Sequence, residues 1–328
     1  MSALERNPQV PALSSHKDLG PGKRDGIIGL PETKNENGPQ GLTASLLGGF
    51  SSMSYTSADI LAATYNRELA HDVGHCMGED CLANGYNGMY APGANIHRSP
   101  YSGRNFEYYS EDGFLSGEIA KVQCAGIAEN GVTVQIKHLV LNDQETYRNG
   151  IATWANAQTI REIYLKAFEG AVADQGPLIS VMTSFNRLGV VWAGAHRGLM
   201  TWVMDREWNV EGYNITDCST TRDYMDGVLG LLAGTHLWDG SGEQAVASQL
   251  LYKGDPVVET AMKESAFRIV YSICHGNAMN GYSSSDRIVA VTPWYFLAMS
   301  GALALFSVIA VAGFGLYITA RIHNKKEK

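Results

Sequence analysis

The chain is poor in the residues that staple or stiffen small folds: of 328 residues, five are cysteine and ten are proline. Cys76, Cys81, Cys124, Cys218 and Cys274 are odd in number and form no compact paired pattern, which argues against a disulfide framework and predicts free, mostly buried thiols. No strand-like run leads into Gly-x-Gly-x-x-Gly, and there is no P-loop, so no organic cofactor is expected. The body of the chain has no long basic run and the formal net charge is −8, which argues against nucleic acid as a partner. That balance is compatible with a neutral ligand such as a sugar. His71 and His75 stand four apart on a predicted helix, but no Glu follows the first, as a zincin would require. A solvated helix face is expected there, and no metal. The first 41 residues also lack the basic segment, apolar run and small-residue cleavage site of a secretory leader.

Glycine, by contrast, is abundant at 36 residues, as suits many tight strand-to-helix turns. Strand-like runs are predicted at Ile27–Pro31, Ser57–Thr64, Gly88–Ala91, Val132–Ile136, Leu178–Thr183 and Gly212–Thr216. Between them, helices are predicted over Arg67–Asn84, Glu111–Glu129, Asn156–Ala173, Gly198–Trp208 and Tyr224–Ala233, with a helix-rich segment from Gly242 to Cys274. Alternating strands and helices imply an α/β fold with a parallel sheet, and the number of units suits a (β/α)8 TIM-like barrel, complete or incomplete.

The C-terminal end differs in kind. No charge occurs from Ile288 to Ala320, a stretch longer than the roughly 20 apolar residues that span a bilayer. Trp294, Tyr295 and Tyr317 suit the two interfaces, and Arg321, Lys325, Lys326 and Lys328 follow. One transmembrane helix is expected, with its basic tail cytoplasmic and the body of the protein extracellular at the cell membrane. A body of this size rarely crosses a membrane without a leader, so the chain is expected to be part of a longer protein. The expected organisation is a poorly ordered lead-in over 1–25, a barrel over 26–280, a polar linker over 281–292, the membrane helix over 293–320 and the tail over 321–328.

In a barrel, chemistry sits where strands end. Lys137-His138 follow one predicted strand, Ser184 to Arg187 another, and Asp217 a third. A strand-end carboxylate has the chemistry to attack an anomeric carbon, and a Lys–His pair has donors for sugar hydroxyls. The segment Ala91–Asp112 adds Arg98, Arg104, Glu107, Glu111 and Asp112 with four aromatic rings. Guanidinium forks and flat rings together suit the hydroxyls and C–H faces of a polyhydroxylated ligand. Trp238-Asp239 either closes the barrel or lines the pocket.

Residues 91–112 closely resemble the substrate-binding stretch of glycoside hydrolase family 3, the β-glucosidase and β-xylosidase family. Further points of likeness are Lys137-His138, the Asn142-Asp143-Gln144-Glu145 loop with Arg148, and Asn37-Gly-Pro-Gln-Gly-Leu42, where Asn37 stands for the family's Asp. Asp217-Cys218 stands where the family often has Asp-Trp, and Phe185 where it often has Tyr. The likeness runs from about Leu30 to Gly281. It implies a retaining hydrolase of β-linked glucosides or xylosides, with Asp217 as nucleophile and Asn37, Arg98, Arg104, Lys137, His138 and Met182 as substrate-binding residues. It assigns Glu107 and Glu111 a mainly structural role. No His-rich loop follows Lys137-His138, so the acid/base is expected from a sandwich domain outside this chain. The alternatives are an inactive, membrane-tethered carbohydrate-binding barrel and a truncated fragment.

Overall fold

The computed structural model describes residues 33–42, 53–220, 222–240, 243–279 and 294–326. The expected lead-in, the Ile27–Pro31 strand and the 281–292 linker lie outside the described residues. Among the described residues two units are distinguished, one over 33–279 and a smaller one over 294–326.

The larger unit is built on a curled parallel sheet of five strands. In chain order these are β1 (Asn35–Asn37), β2 (Gly88–Tyr90), β3 (Thr133–Leu139), β5 (Ile179–Thr183) and β8 (Ile215–Thr216), which lie side by side in that order. A parallel bridge from Ile215 to Leu237 adds a sixth position. The sheet is therefore a half-barrel, and the expected eight-strand closure is not seen among the described residues. Across its open side the Tyr90 hydroxyl donates to Asp239 Oδ1 at 3.0 Å. A small second sheet, β4 (Ala152–Thr153), β6 (Arg187–Leu188) and β7 (Val191–Trp192), stands on the loops that follow β3 and β5.

The helices of this unit are α1 (Ala58–Ala63), α2 (Arg67–Ala83), α3 (Gly113–Glu129), α4 over 157–172, α5 (Gly198–Glu207), α6 (Gly227–Ala233), α7 (Glu243–Leu250) and α8 (Pro256–His275). The run expected as a strand at 57–64 is α1 instead. Its core, Ala-Asp-Ile-Leu-Ala-Ala, has too much alanine and too little β-branching for a strand. α4 contains a π-turn at Ile160–Tyr164, and α5 is wound as a π-helix. Side-chain caps start the helices where the sequence offers them. Asn66 accepts from Leu69 N, Asp112 from Leu115 N, Asn156 from Thr159 N and Asp226 from Val228 N.

α3 packs between α2 and α4 at a separation that only glycine permits. A Cβ on Gly126 would meet His71 O at 2.3 Å, one on Gly74 would meet Gln123 O at 2.2 Å, and one on Gly117 would meet Lys166 O at 2.6 Å. Val134 and Ile136 of β3 complete this apolar core. His71 and His75 lie at its rim, and both face Glu129, at 2.9 and 3.5 Å. Among the described residues no group of His, Cys, Asp or Glu is arranged to hold a metal. Of the free thiols only Cys81 and Cys124 are buried, while Cys76 and Cys274 are exposed and Cys218 is half-buried, so the expectation of mostly buried thiols is corrected.

In the smaller unit, α9 (Trp294–Lys326) contains Leu297–Thr319, a 23-residue stretch of mean hydropathy 2.1 that is long and apolar enough to cross a membrane.

Candidate active site

The strand expected to end at Ile136 runs on to Leu139 and is buried along its whole length. Its pairing with β5 shifts by one residue, from Lys137–Met182 to Leu139–Thr183. His138 is the extra residue. In a regular strand, neighbours point to opposite faces, but a bulge re-aims a side chain, and here it delivers Lys137 and His138 to one cluster. The following turn places Leu141 at φ 65°, a costly conformation for a branched side chain. It is held by Ser184 Oγ and Asn186 Nδ2, which both donate to Val140 O at 3.1 and 3.0 Å.

Lys137 Nζ donates to Asn37 Oδ1 at 2.9 Å and pairs with Glu107 Oε1 at 3.1 Å. An ammonium has three donors, so one remains for a ligand. Glu107 Oε2 takes Arg104 Nε at 2.5 Å. The turn Asn105–Glu107 makes that pair possible, because it brings a residue three positions on back beside Arg104. Glu107 is buried, which alone would raise its pKa, but Lys137 and Arg104 outweigh burial and hold it at about 2. It is therefore a fixed anion that orients two cations and holds no proton to give.

His138 sits between two partners. Arg104 Nη2 lies 3.2 Å from Nε2 and Tyr108 Oη 3.1 Å from Nδ1. A guanidinium only donates, so Nε2 is assigned as the acceptor and the ring proton as lying on Nδ1, toward Tyr108. Burial, then Arg104, Lys137 and Arg148, hold the His138 pKa well below the usual imidazole range, so the ring is neutral. Its backbone is fixed by Asn95, which accepts from His138 N at 2.8 Å and donates to His138 O at 2.9 Å. Behind it, Asn142 Nδ2 donates to Tyr108 Oη at 3.1 Å and to Glu145 Oε1 at 3.0 Å, and Arg148 closes on Glu145 at 2.8 Å.

Asp217 directly follows β8, and its amide donates to Thr183 O at the end of β5 at 3.0 Å. Its Oδ1 accepts from Cys218 N at 2.7 Å, and its Oδ2 lies 3.5 Å from His138 Nε2. With the proton on the far side of the imidazole, that last contact is not a hydrogen bond, and among the described residues no hydrogen bond occupies Oδ2. Burial raises the Asp217 pKa, while the Cys218 amide, Lys137, Arg104 and Arg148 pull it back in part. The side chain keeps 15% of its surface open.

Asn37, Arg104, Lys137, His138 and Asp217 are thus gathered in one place. Met182, opposite Lys137 on β5, lies in an apolar floor with Tyr90 and Ile215. Arg98 does not join them. It is exposed, its Nη1 donates to the Tyr164 hydroxyl at 2.5 Å, and a charged neighbour is Asp143. The segment turns between the two arginines, and only the second faces inward. Tyr108, in the 91–112 stretch, and Asn142 and Glu145, in the loop noted with Arg148, are points of likeness in the sequence but not expected site residues; the structure places all three around His138.

The glycosyl hydrolase family 3 N-terminal domain matches residues 41–228, more than half of the chain. The chain belongs to glycosyl hydrolase family 3. Among its curated relatives, thermostable beta-glucosidase B of Acetivibrio thermocellus is 36% identical over 209 residues, 61% of this chain and 28% of the relative. A beta-glucosidase of Rhizobium radiobacter is 35% identical over 249 residues, 74% of this chain and 30% of the relative. Beta-glucosidase 3B of Thermotoga neapolitana, solved in complex with glucose, superposes with a TM-score of 0.68 at 31% identity, covering 77% of this chain and 37% of that one. This family 3 chain therefore spans about a third or less of the length of the curated relatives it matches.

Proposed function

We propose that this chain carries the reacting subsite of a retaining β-glycosidase for neutral β-linked glucosides or xylosides. The observation that carries the reading is Asp217, a strand-end carboxylate with one oxygen held by a backbone N–H and the other left to react beside Lys137, His138 and Arg104. In the first step Asp217 Oδ2 bonds to the anomeric carbon as the bond from that carbon to the aglycone oxygen breaks. In the second, water attacks the same carbon, the ester bond to Asp217 breaks, and the water's proton leaves with the general base. Lys137 and Arg104 supply donors for ring hydroxyls, and Met182 the floor beneath the ring.

The proton for a poor leaving group comes, on this reading, from a domain beyond the barrel. Two carboxylates that border the described cluster are unsuited to give it: Glu107 is ionised, and Glu145 is taken by Arg148 and Asn142. That same observation favours the rival, a barrel that binds a sugar without cleaving it. A 2,4-dinitrophenyl glycoside separates them, because its leaving group needs no proton. The full chain in detergent is expected to release dinitrophenolate from the β-glucoside or β-xyloside, in a reaction that depends on Asp217. Sugar binding without release would leave only the binding barrel.

We also propose that α9 anchors the chain in the cell membrane, with the barrel extracellular and the basic tail cytoplasmic. Its length, its hydropathy and the Arg321 to Lys328 cluster support this. After alkaline carbonate extraction the expressed chain is expected in the membrane pellet, and recovery in the supernatant would count against the anchor.

A further inference from the structure

Asp239 is a carboxylate at the edge of the site that forms no direct ion pair among the described residues, although Lys137 is near enough to favour its ionised form. Among the described residues, Glu107 is paired with Lys137 and Arg104, and Glu145 with Arg148. Asp239 makes no ion pair there. Its partners are the Tyr90 hydroxyl, 3.0 Å from Oδ1, and the backbone N–H of Gly240. Its own amide donates to Thr216 Oγ1 at 2.9 Å, and Ser219 Oγ donates to its carbonyl at 2.6 Å. Thr216 and Ser219 flank Asp217, so Asp239 is tied to the strand end that carries the reacting carboxylate. Tyr90 comes from the far side of the curled sheet, and its ring forms with Met182 and Ile215 the apolar floor. An oriented carboxylate over such a floor is an acceptor waiting for a hydroxyl, since two bonds leave part of its capacity unused.

We propose that Asp239 is a specificity-determining residue: its carboxylate, positioned by Tyr90, accepts one hydroxyl of the neutral pyranose seated against Asp217. This rests on the reading of the cluster as a sugar subsite. It adds a preference for neutral sugars over uronic acids, whose carboxylate would meet both Asp217 and Asp239.

The test is calorimetric titration of the full chain, in detergent, with D-glucose and its 2-, 3-, 4- and 6-deoxy derivatives. Wild type, Asp239→Asn and Tyr90→Phe are compared. Asp239→Asn is expected to weaken glucose binding about tenfold, as for a lost hydrogen bond to a charged group. One deoxyglucose should bind wild type equally weakly and lose nothing further in the variant. Tyr90→Phe, which keeps the carboxylate, should show the same pattern with a smaller loss. A purely structural Asp239 would weaken all five sugars alike, and that pattern overturns the proposal, as does unchanged glucose affinity or a wild-type chain that binds no glucose. Binding does not require bond cleavage, so the two readings fail separately. The selective pattern without dinitrophenolate release sinks only the hydrolase, and hydrolysis without the pattern sinks only the role of Asp239.

Discussion

Asp217→Asn is expected to lower kcat/KM for 2,4-dinitrophenyl β-glucoside by a factor on the order of 10⁴ to 10⁶, the range seen when a catalytic nucleophile is removed. The amide has the same shape and still offers an oxygen to the Cys218 N–H, so the fold is retained and glucose still binds. What is lost is the anion proposed to bond to the anomeric carbon. The pH profile follows from the same group. Asp217 must be ionised to attack, and burial raises its pKa above the ordinary 3.8. Activity therefore rises with pH along an acid limb centred above 3.8. Lys137→Met removes a cation that favours the ionised form, and the limb moves further up. An Asn variant with a tenth of wild-type activity, or a limb centred below 3.8, would contradict the assignment.

The second large effect is on stability. Glu107→Gln is expected to cost about 3–5 kcal/mol at neutral pH, the usual loss on breaking a buried ion pair. Lys137 and Glu107 are only 3% and 8% exposed, so removing the anion leaves the Lys137 ammonium without its counter-charge and the Arg104 guanidinium with only Glu145, 3.6 Å away. The sign with pH is fixed by the direction of the shift. Glu107 falls from 4.5 to about 2 in the folded protein, so its contribution is fully present above 4.5 and is lost as pH falls toward 2. That interval corresponds to roughly 3 kcal/mol. Urea denaturation between pH 2 and 7 should show the decline in wild type and a flatter curve in Glu107→Gln. A Glu107→Leu, Lys137→Met double variant should recover part of the loss, because the unpaired ammonium goes with its partner. A single variant within 1 kcal/mol of wild type at pH 7 would show that the pair carries no such weight.

Much of the candidate cluster was legible because its polar residues sit at or near strand ends. Lys137, His138 and Asp217 follow apolar β-branched runs, and polar residues there have few roles but the pocket. The bulge that turns Lys137 and His138 to the same side was not legible, since it is a property of pairing with β5 and leaves no mark on β3 alone. Arg98 and Arg104 looked equivalent because both lie in one turn-rich segment. Which one faces inward depends on Tyr164, 66 residues on, and on His138, 34 residues on. The alternation of strands and helices pointed to the parallel α/β sheet but left its closure open, complete or incomplete, because counting strands says nothing of whether the first and last meet. The strand misread at 57–64 shows the weakness of a short apolar run as a signal: alanine content separates it from a strand, and hydrophobicity does not.

The central claim is that Asp217 forms a covalent bond to the sugar. Intact-mass spectrometry of the full chain after incubation with 2,4-dinitrophenyl 2-deoxy-2-fluoro-β-glucoside tests it directly, because the fluorine slows both steps while the dinitrophenolate leaving group speeds only the first, so the intermediate accumulates. The expected result is a gain of one fluorosugar, mapped to the peptide holding Asp217 and absent from Asp217→Ala. A folded chain that binds glucose yet gains no mass, or carries the label on another residue, would contradict the account.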